Sequence, residues 1–240
     1  MSEKTNCRFF NKNCPDKAEN EGCPEGLCIP NYKMTFMLQH SNLKKPQTEE
    51  YNFEESWEDR KAYLRLDEII TEFPQWITTR TYNSLYIWSH NYLNGKTTWA
   101  IKLLQNYLTE WAWAFNKEWS EENSYGYFIT TSQIKEIFKY QTERQEDFIN
   151  LTKILKTTKL LVIDNIEQII DDLKVENYLA NILDERFSAK LSTIYTSHIS
   201  PNEYKSKCKN SYLNSRIIDL SENNIVEFNA PVYHKEKGEN

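Results

Sequence analysis

The chain has 240 residues, of which 39% are hydrophobic and 14% aromatic, and its formal net charge is −6. This content is enough for one α/β domain plus a small appendage, and it excludes global disorder. The negative balance excludes a protein that coats nucleic acid through bulk charge alone, while leaving room for a local contact.

The opening MSEKTNCRFF lacks the basic start and apolar core of a signal peptide. No apolar run approaches the ~20 residues that a bilayer span requires. The expectation is therefore a soluble, cytoplasmic protein with no membrane partner, a setting in which disulfides are unusual. Four of the five cysteines nonetheless crowd into the first 28 residues, as Cys7, Cys14, Cys23 and Cys28 in the spacing C-x6-C-x8-C-x4-C. Zinc takes four soft or borderline ligands in a tetrahedron, and two thiolate-bearing turns supply them. Prolines and glycines beside the sulfurs (CPDK, GCPEGLC) suit such turns. A segment this short draws most of its folding energy from metal. The expectation is a zinc module over residues 1–40, with His40 as a substitute ligand. Cys208, alone in YKSKCKNSY, reads as an ordinary thiol.

Polar residues, a proline and mixed charge mark 41–56 as a linker. From there the main domain is expected over 57–240, with its core at about 82–228 and a disordered tail at about 234–240. Ser56 is an N-cap candidate ahead of WEDRKAYLRLDEIITEF, which predicts a helix over 57–75 that Pro74 stops.

SLYIW at 84–88 is a compact strand-type run. HNYLNGKTT follows at 90–98. Gly95, Lys96 and Thr97 match the second half of the phosphate-binding pattern G-x-x-x-x-G-K-[ST], and His90 stands where its first glycine belongs. Ala100, Ile101, Leu104, Tyr107, Leu108, Trp111, Ala112 and Phe115 then recur at helical spacing. Strand, loop and long helix are the context a P-loop requires. Its N–H groups, from His90, Asn91, Tyr92, Leu93, Asn94, Gly95 and Thr98, cradle phosphate. Lys96 reaches the outer phosphates, and the Thr97 hydroxyl ligates Mg²⁺. In WAWAFNKEW, Trp111 falls on the apolar stripe and reads as core rather than as a stacking platform for bases.

A P-loop also needs an acid for its magnesium, at the end of a neighbouring buried strand. TKLLVIDNIEQ at 158–168 supplies it: an unbroken apolar run, as in a strand covered on both faces, ending in Asp164. Further strands are expected at 125–130, 191–197 and 224–228, separated by helical stretches. Alternation of this kind predicts a three-layer α/β/α sandwich with a mostly parallel, five-stranded sheet. Its ligand belongs at the carboxyl ends of the strands. YKSKCKNSYLNSR is locally basic through Lys205, Lys207, Lys209 and Arg216.

From about Tyr82 to Val226 the chain resembles the AAA+ ATPase domain of DnaC/DnaI-type replicative helicase loaders. The motifs that carry the resemblance are LYIWSHNYLNGKTTWA, YFITTSQIKEIFK, LLVIDNIEQ, ILDERFSAKLSTIYTSHIS and YLNSRI, in that order. A cysteine-rich module ahead of the ATPase also resembles the DnaI arrangement. The resemblance implies ATP, Mg²⁺ and Zn²⁺ as cofactors. It gives Lys96 and Thr97 the phosphate and magnesium, and Asp164 the magnesium. It puts His198 at the sensor position, and makes Arg216 the finger that reaches a neighbouring subunit of a homo-oligomer. It implies a DnaB-type helicase and single-stranded DNA as partners. The compact design suits a phage or mobile-element version. The sequence departs from the family pattern at His90, at Asn165, where a second acid normally orients the attacking water, and at His198, in place of asparagine. An amide cannot accept a proton as a carboxylate can, so slow turnover is expected, with nucleotide acting as an assembly switch. The other readings are an IstB-like transposition helper and a non-hydrolysing zinc adaptor with a degenerate P-loop.

Overall fold

A computed structural model describes residues 29–44, 56–79, 83–113, 119–221 and 224–231. The expected zinc ligands Cys7, Cys14, Cys23 and Cys28, most of the linker and the tail lie outside the described residues.

Five strands form one sheet: β1 (Ser84–Trp88), β2 (Gly126–Thr130), β3 (Leu160–Asp164), β4 (Ser192–Ser197) and β5 (Ile225–Glu227). Their spatial order is β2-β3-β4-β1-β5, and every pairing is parallel. Parallel strands need crossovers, and the helices supply them on both faces. Along β3, Leu160 and Val162 turn to one face, and Leu161 and Ile163 to the other. All four are fully buried, which is why the run carries no polar alternation.

One face is covered by α1 (Ile29–Gln39), α2 (Arg60–Thr79) and α3 (Lys96–Trp113). The other is covered by α4 (Thr131–Lys139), α5 (Gln145–Thr157), α6 (Leu173–Ser188), α7 (Pro201–Lys207) and α8 (Ser211–Ile217). The expected sandwich is what the chain forms. Trp111 is buried among the first set and packs against Tyr125 with the rings tilted, at 4.8 Å between centroids. Close approach of α3 to the sheet explains Gly126, because a Cβ there would stand 2.6 Å from Leu104 Cδ1 and 2.9 Å from Leu108 Cδ2.

Two elements differ from expectation. The helix expected to stop at Pro74 continues to Thr79. Proline removes one backbone hydrogen bond, but Phe73, Trp76 and Ile77 are buried on the same face and hold the last turn in place. The Thr78 and Thr79 hydroxyls also donate to the Pro74 and Gln75 carbonyls. Ser56 does cap the start, its hydroxyl accepting from Glu58 N at 3.2 Å. The second difference is α1. Its Met34, Met37 and Leu38 pack with α3 as part of the α/β core, so residues expected in the cysteine module contribute to the main body. The chain just after α1 then covers the sheet's edge: Phe128 N donates to the Ser41 carbonyl at 2.9 Å, and Asn42 Nδ2 to the Phe128 carbonyl at 2.8 Å. An edge strand left bare invites pairing with other chains, and this segment occupies it.

At the amino ends of the strands, Arg186 is fully buried. Its guanidinium donates to the carbonyls of Leu155, Thr158 and Ser192 and, through Nε at 3.0 Å, to Thr193 Oγ1. One side chain thereby locks α5, α6 and β4 together. Removing it strands several buried acceptors. Arg186→Met is expected to lower stability by about 3–5 kcal/mol, read as a shift in the urea unfolding midpoint, and Arg186→Lys to recover little of it.

Candidate functional site

The loop between β1 and α3 lies at the carboxyl end of the sheet, as the strand–loop–helix pattern requires. Its backbone strain falls on Leu93 (φ 53°) and Gly95 (φ 94°). His90 keeps an ordinary backbone, so a residue with a Cβ replaces the first glycine without strain at that point. The His90 ring leaves the loop interior: its Nε2 lies 3.5 Å from Glu203 Oε2, and the ring sits edge-on to Trp88. Asn91 fastens the loop to the segment after β5 by donating to the Asn229 and Ala230 carbonyls at 3.0 Å. Buried Asp59 fixes that same segment by accepting from the N–H groups of both residues.

Inside the loop, buried Asn94 donates from Nδ2 to Ser89 Oγ at 2.6 Å, and its Oδ1 accepts from Lys96 Nζ at 3.0 Å. Lys96 Nζ also donates to the Asn91 carbonyl at 2.7 Å. Among the described residues no carboxylate stands within ion-pair distance of this ammonium. Burial pushes its pKa down from 10.5 to about 8, with Glu167, Asp164 and Asp59 pulling it partly back. A buried cation held only by neutral oxygens is a receptor for an anion.

Thr97 Oγ1 donates to Asp164 Oδ1 at 2.8 Å. Thr196 Oγ1, from β4, donates to the same oxygen, and the Thr131 hydroxyl donates to the Asp164 carbonyl. Asp164 is buried at the end of β3. A hydroxyl and a carboxylate side by side are the hard oxygen donors that Mg²⁺ takes in nucleotide sites. Thr97 and Asp164 therefore fit that ion, which when bound would neutralise phosphate charge. Among the described residues no group of three or more His, Cys, Asp or Glu side chains is placed to hold a metal.

Past β3, Asn165 adopts the left-handed conformation (φ 59°, ψ 53°). Its N–H donates to Thr196 Oγ1 at 3.0 Å, and its Nδ2 turns back to Asp164 Oδ2 at 3.4 Å. His198 lies beyond β4 with its ring under Tyr92, centroids 4.2 Å apart. Its Nδ1 is buried without a hydrogen-bond partner. Burial and the Lys96 charge hold its pKa below the usual value, so the neutral ring is favoured. Sequence reasoning placed Lys96, Thr97, Asp164, Asn165 and His198, and the fold brings these together. Thr98 is half-buried in the first turn of α3. Tyr92 and Leu93 are 63% and 77% exposed, and so form the outer lip rather than the cradle.

Arg216 makes its contacts elsewhere, on α8. It donates to Asp184 Oδ1 at 2.7 Å and Tyr212 Oη at 2.8 Å, with its guanidinium 4.4 Å from the Phe187 ring centre. The lysines of the basic stretch are ion-paired: Lys205 with Asp219, Lys207 with Glu203 and Lys209 with Asp171. Cys208 is buried, and burial raises its thiol pKa to about 11, as suits an unreactive thiol. Sequence reasoning missed Ser89, Asn94 as the lysine's partner, and Thr196. None belongs to a pattern of fixed spacing: the loop's own fold brings Ser89, Asn94 and Lys96 together, and the pairing of β3 with β4 brings Thr196 to Asp164.

No family model matches the chain, and no curated protein matches it. Solved structures do. A structure of DnaI aligns at TM-score 0.58 with 12% identity, over 78% of this chain and 95% of that one. A structure of the DnaC helicase loader aligns at TM-score 0.56 with 17% identity, over 78% and 100% respectively. The replication initiator DnaA bound to AMPPCP and single-stranded DNA aligns at TM-score 0.52 with 14% identity, over 75% of this chain. This chain spans 49% of that longer DnaA. The chain shares the fold of these proteins, with a parallel five-stranded sheet in the order β2-β3-β4-β1-β5 and helices on both faces.

The buried ammonium sets a cost that can be measured. Because folding lowers the Lys96 pKa, the folded state disfavours its proton. The penalty is complete below about pH 8 and disappears as pH rises toward 10.5. Without nucleotide, Lys96→Met is expected to be more stable than wild type by about 1–2 kcal/mol at pH 7. The gap should narrow between pH 8 and pH 10 in urea unfolding.

Proposed function

We propose that the chain is an ATP-binding helicase loader acting in replication initiation. The observation that carries this reading is the Lys96 ammonium, buried and without a carboxylate partner, beside a Thr97–Asp164 pair suited to Mg²⁺. Nucleoside triphosphate supplies both the anion for the lysine and the oxygens for the metal. The likeness of the fold to DnaI and DnaC supports the loader assignment. DnaA with AMPPCP and single-stranded DNA is a protein of the same fold that takes both ligands.

In this reading, residues 1–40 grip a DnaB-type replicative helicase through a zinc centre made by Cys7, Cys14, Cys23 and Cys28. The AAA+ domain oligomerises on ATP, contacts single-stranded DNA, and helps place the helicase. Arg216 acts across a subunit boundary, and to do so it leaves Asp184. Turnover is slow because the position next to Asp164 holds an amide and a base must come from farther along the chain, so bound nucleotide serves mainly as an assembly switch. The protein works in the cytoplasm, that of the host if a phage encodes it. No helix among the described residues is long and apolar enough to cross a membrane.

Two measurements test this. In an ATP titration with Mg²⁺, Lys96→Ala is expected to weaken binding at least about 30-fold, as loss of a charge-assisted phosphate contact requires. Equal affinity in both would remove the nucleotide site. In co-purification with the cognate replicative helicase, the full chain should retain it and a chain lacking residues 1–28, which keeps α1 and its core contacts, should not. The full chain should also carry one zinc, lost with the same truncation. Retention of a transposase in place of the helicase would instead favour the transposition helper.

A further inference from the structure

Asn165 stands where this class of site carries the acid that handles the attacking water, and its side chain is engaged with Asp164. The left-handed turn at Asn165 sends the chain into a short 3-10 turn, Ile166–Ile169. The next acid, Glu167, is on that turn. Its Oε2 accepts from the His198 N–H at 3.3 Å, which draws the carboxylate across to the carboxyl end of β4. From there its charge, with those of Asp164 and Asp59, favours the Lys96 ammonium. It is half-buried, and belongs to neither the Thr97–Asp164 pair nor any ion pair among the described residues.

We propose that Glu167 is the carboxylate that orients the attacking water and takes its proton when this site hydrolyses nucleotide. The assignment rests on the ATP-binding reading above. In the step, a water oxygen bonds to the γ-phosphorus while the bond from that phosphorus to the bridging oxygen breaks. The bridging oxygen leaves with the electron pair as part of ADP. The water's proton passes to Glu167, and inorganic phosphate is released. Burial raises the Glu167 pKa above the ordinary carboxylate value, which strengthens it as a base.

The test compares full-length wild type, Glu167→Gln, Glu167→Asp and Asn165→Ala, reading ATP affinity and turnover separately. Glutamine keeps an acceptor for the His198 N–H, so a merely structural role survives Glu167→Gln while proton transfer does not. The expected result is a fall in turnover of at least about 100-fold in Glu167→Gln, with ATP affinity within about threefold of wild type. Glu167→Asp should keep part of the turnover, and Asn165→Ala should stay within about threefold of wild type. Wild-type turnover in Glu167→Gln overturns the proposal. So does equal loss in the glutamine and aspartate variants, a large loss in Asn165→Ala, or loss of ATP binding in Glu167→Gln. A wild type that binds ATP and never turns it over also overturns it, while leaving the nucleotide reading standing. A wild type that binds no ATP overturns both.

Discussion

Asp164 Oδ1 accepts hydrogen bonds from Thr97 and Thr196 together, tying the first turn of α3 to adjacent ends of β3 and β4. The acid stays in place because β3 is an interior strand of the sheet, with β2 and β4 beside it and helices over both faces. A carboxylate at the end of such a strand is taken out of water, so its oxygens need donors. The hydroxyls that satisfy it come from the P-loop helix and from the neighbouring strand. Structural need and metal-binding chemistry are therefore met by the same side chains.

The loop above is stable at rest for a related reason. Lys96 is desolvated without an anion, and Asn91 and Asn94 supply neutral oxygens in its place. Asn94 is itself held by Ser89 at the end of β1. Charge–dipole bonds of this kind compensate burial only in part, which leaves the cation receptive to phosphate. Anchoring of Asn91 to the chain after β5, and of that chain to Asp59, keeps the loop open in shape while its strain is confined to Leu93 and Gly95. The site is thus made before a ligand arrives, and a mobile ligand has less ordering to bring about.

Around the site, Asn165 and His198 lie close to one another, past the ends of β3 and β4. Asn165, Glu167 and His198 are linked through Asp164, Thr196 and the His198 backbone, and Tyr92 of the loop lies over the His198 ring. On the loop side His90 departs from the family pattern as well, but its ring leaves the loop interior for Glu203 and Trp88.

Much of this was legible in the sequence because it depends on local periodicity and spacing. SLYIW, LLVID and STIYTS became β1, β3 and β4 because apolar and β-branched runs of that length form buried strands wherever helices cover them. Gly95-Lys96-Thr97 followed by a helical stripe, with Asp164 far downstream, fixed the loop, the helix and the acid. Pro74 misled, since its local cost was outweighed by the burial of Phe73, Trp76 and Ile77, a tertiary gain that no single-position rule contains. The helix α1 was missed because its apolar residues become one face only when α3 is there to receive them. The sequence by itself determined which residues could bind phosphate and magnesium, since that is a matter of residue type and loop geometry. Only the tertiary structure decided that Thr196 holds Asp164 and that the Glu167 carboxylate accepts from the His198 N–H. Those contacts join strands far apart in the chain, and it is the order β2-β3-β4-β1-β5 that makes them neighbours.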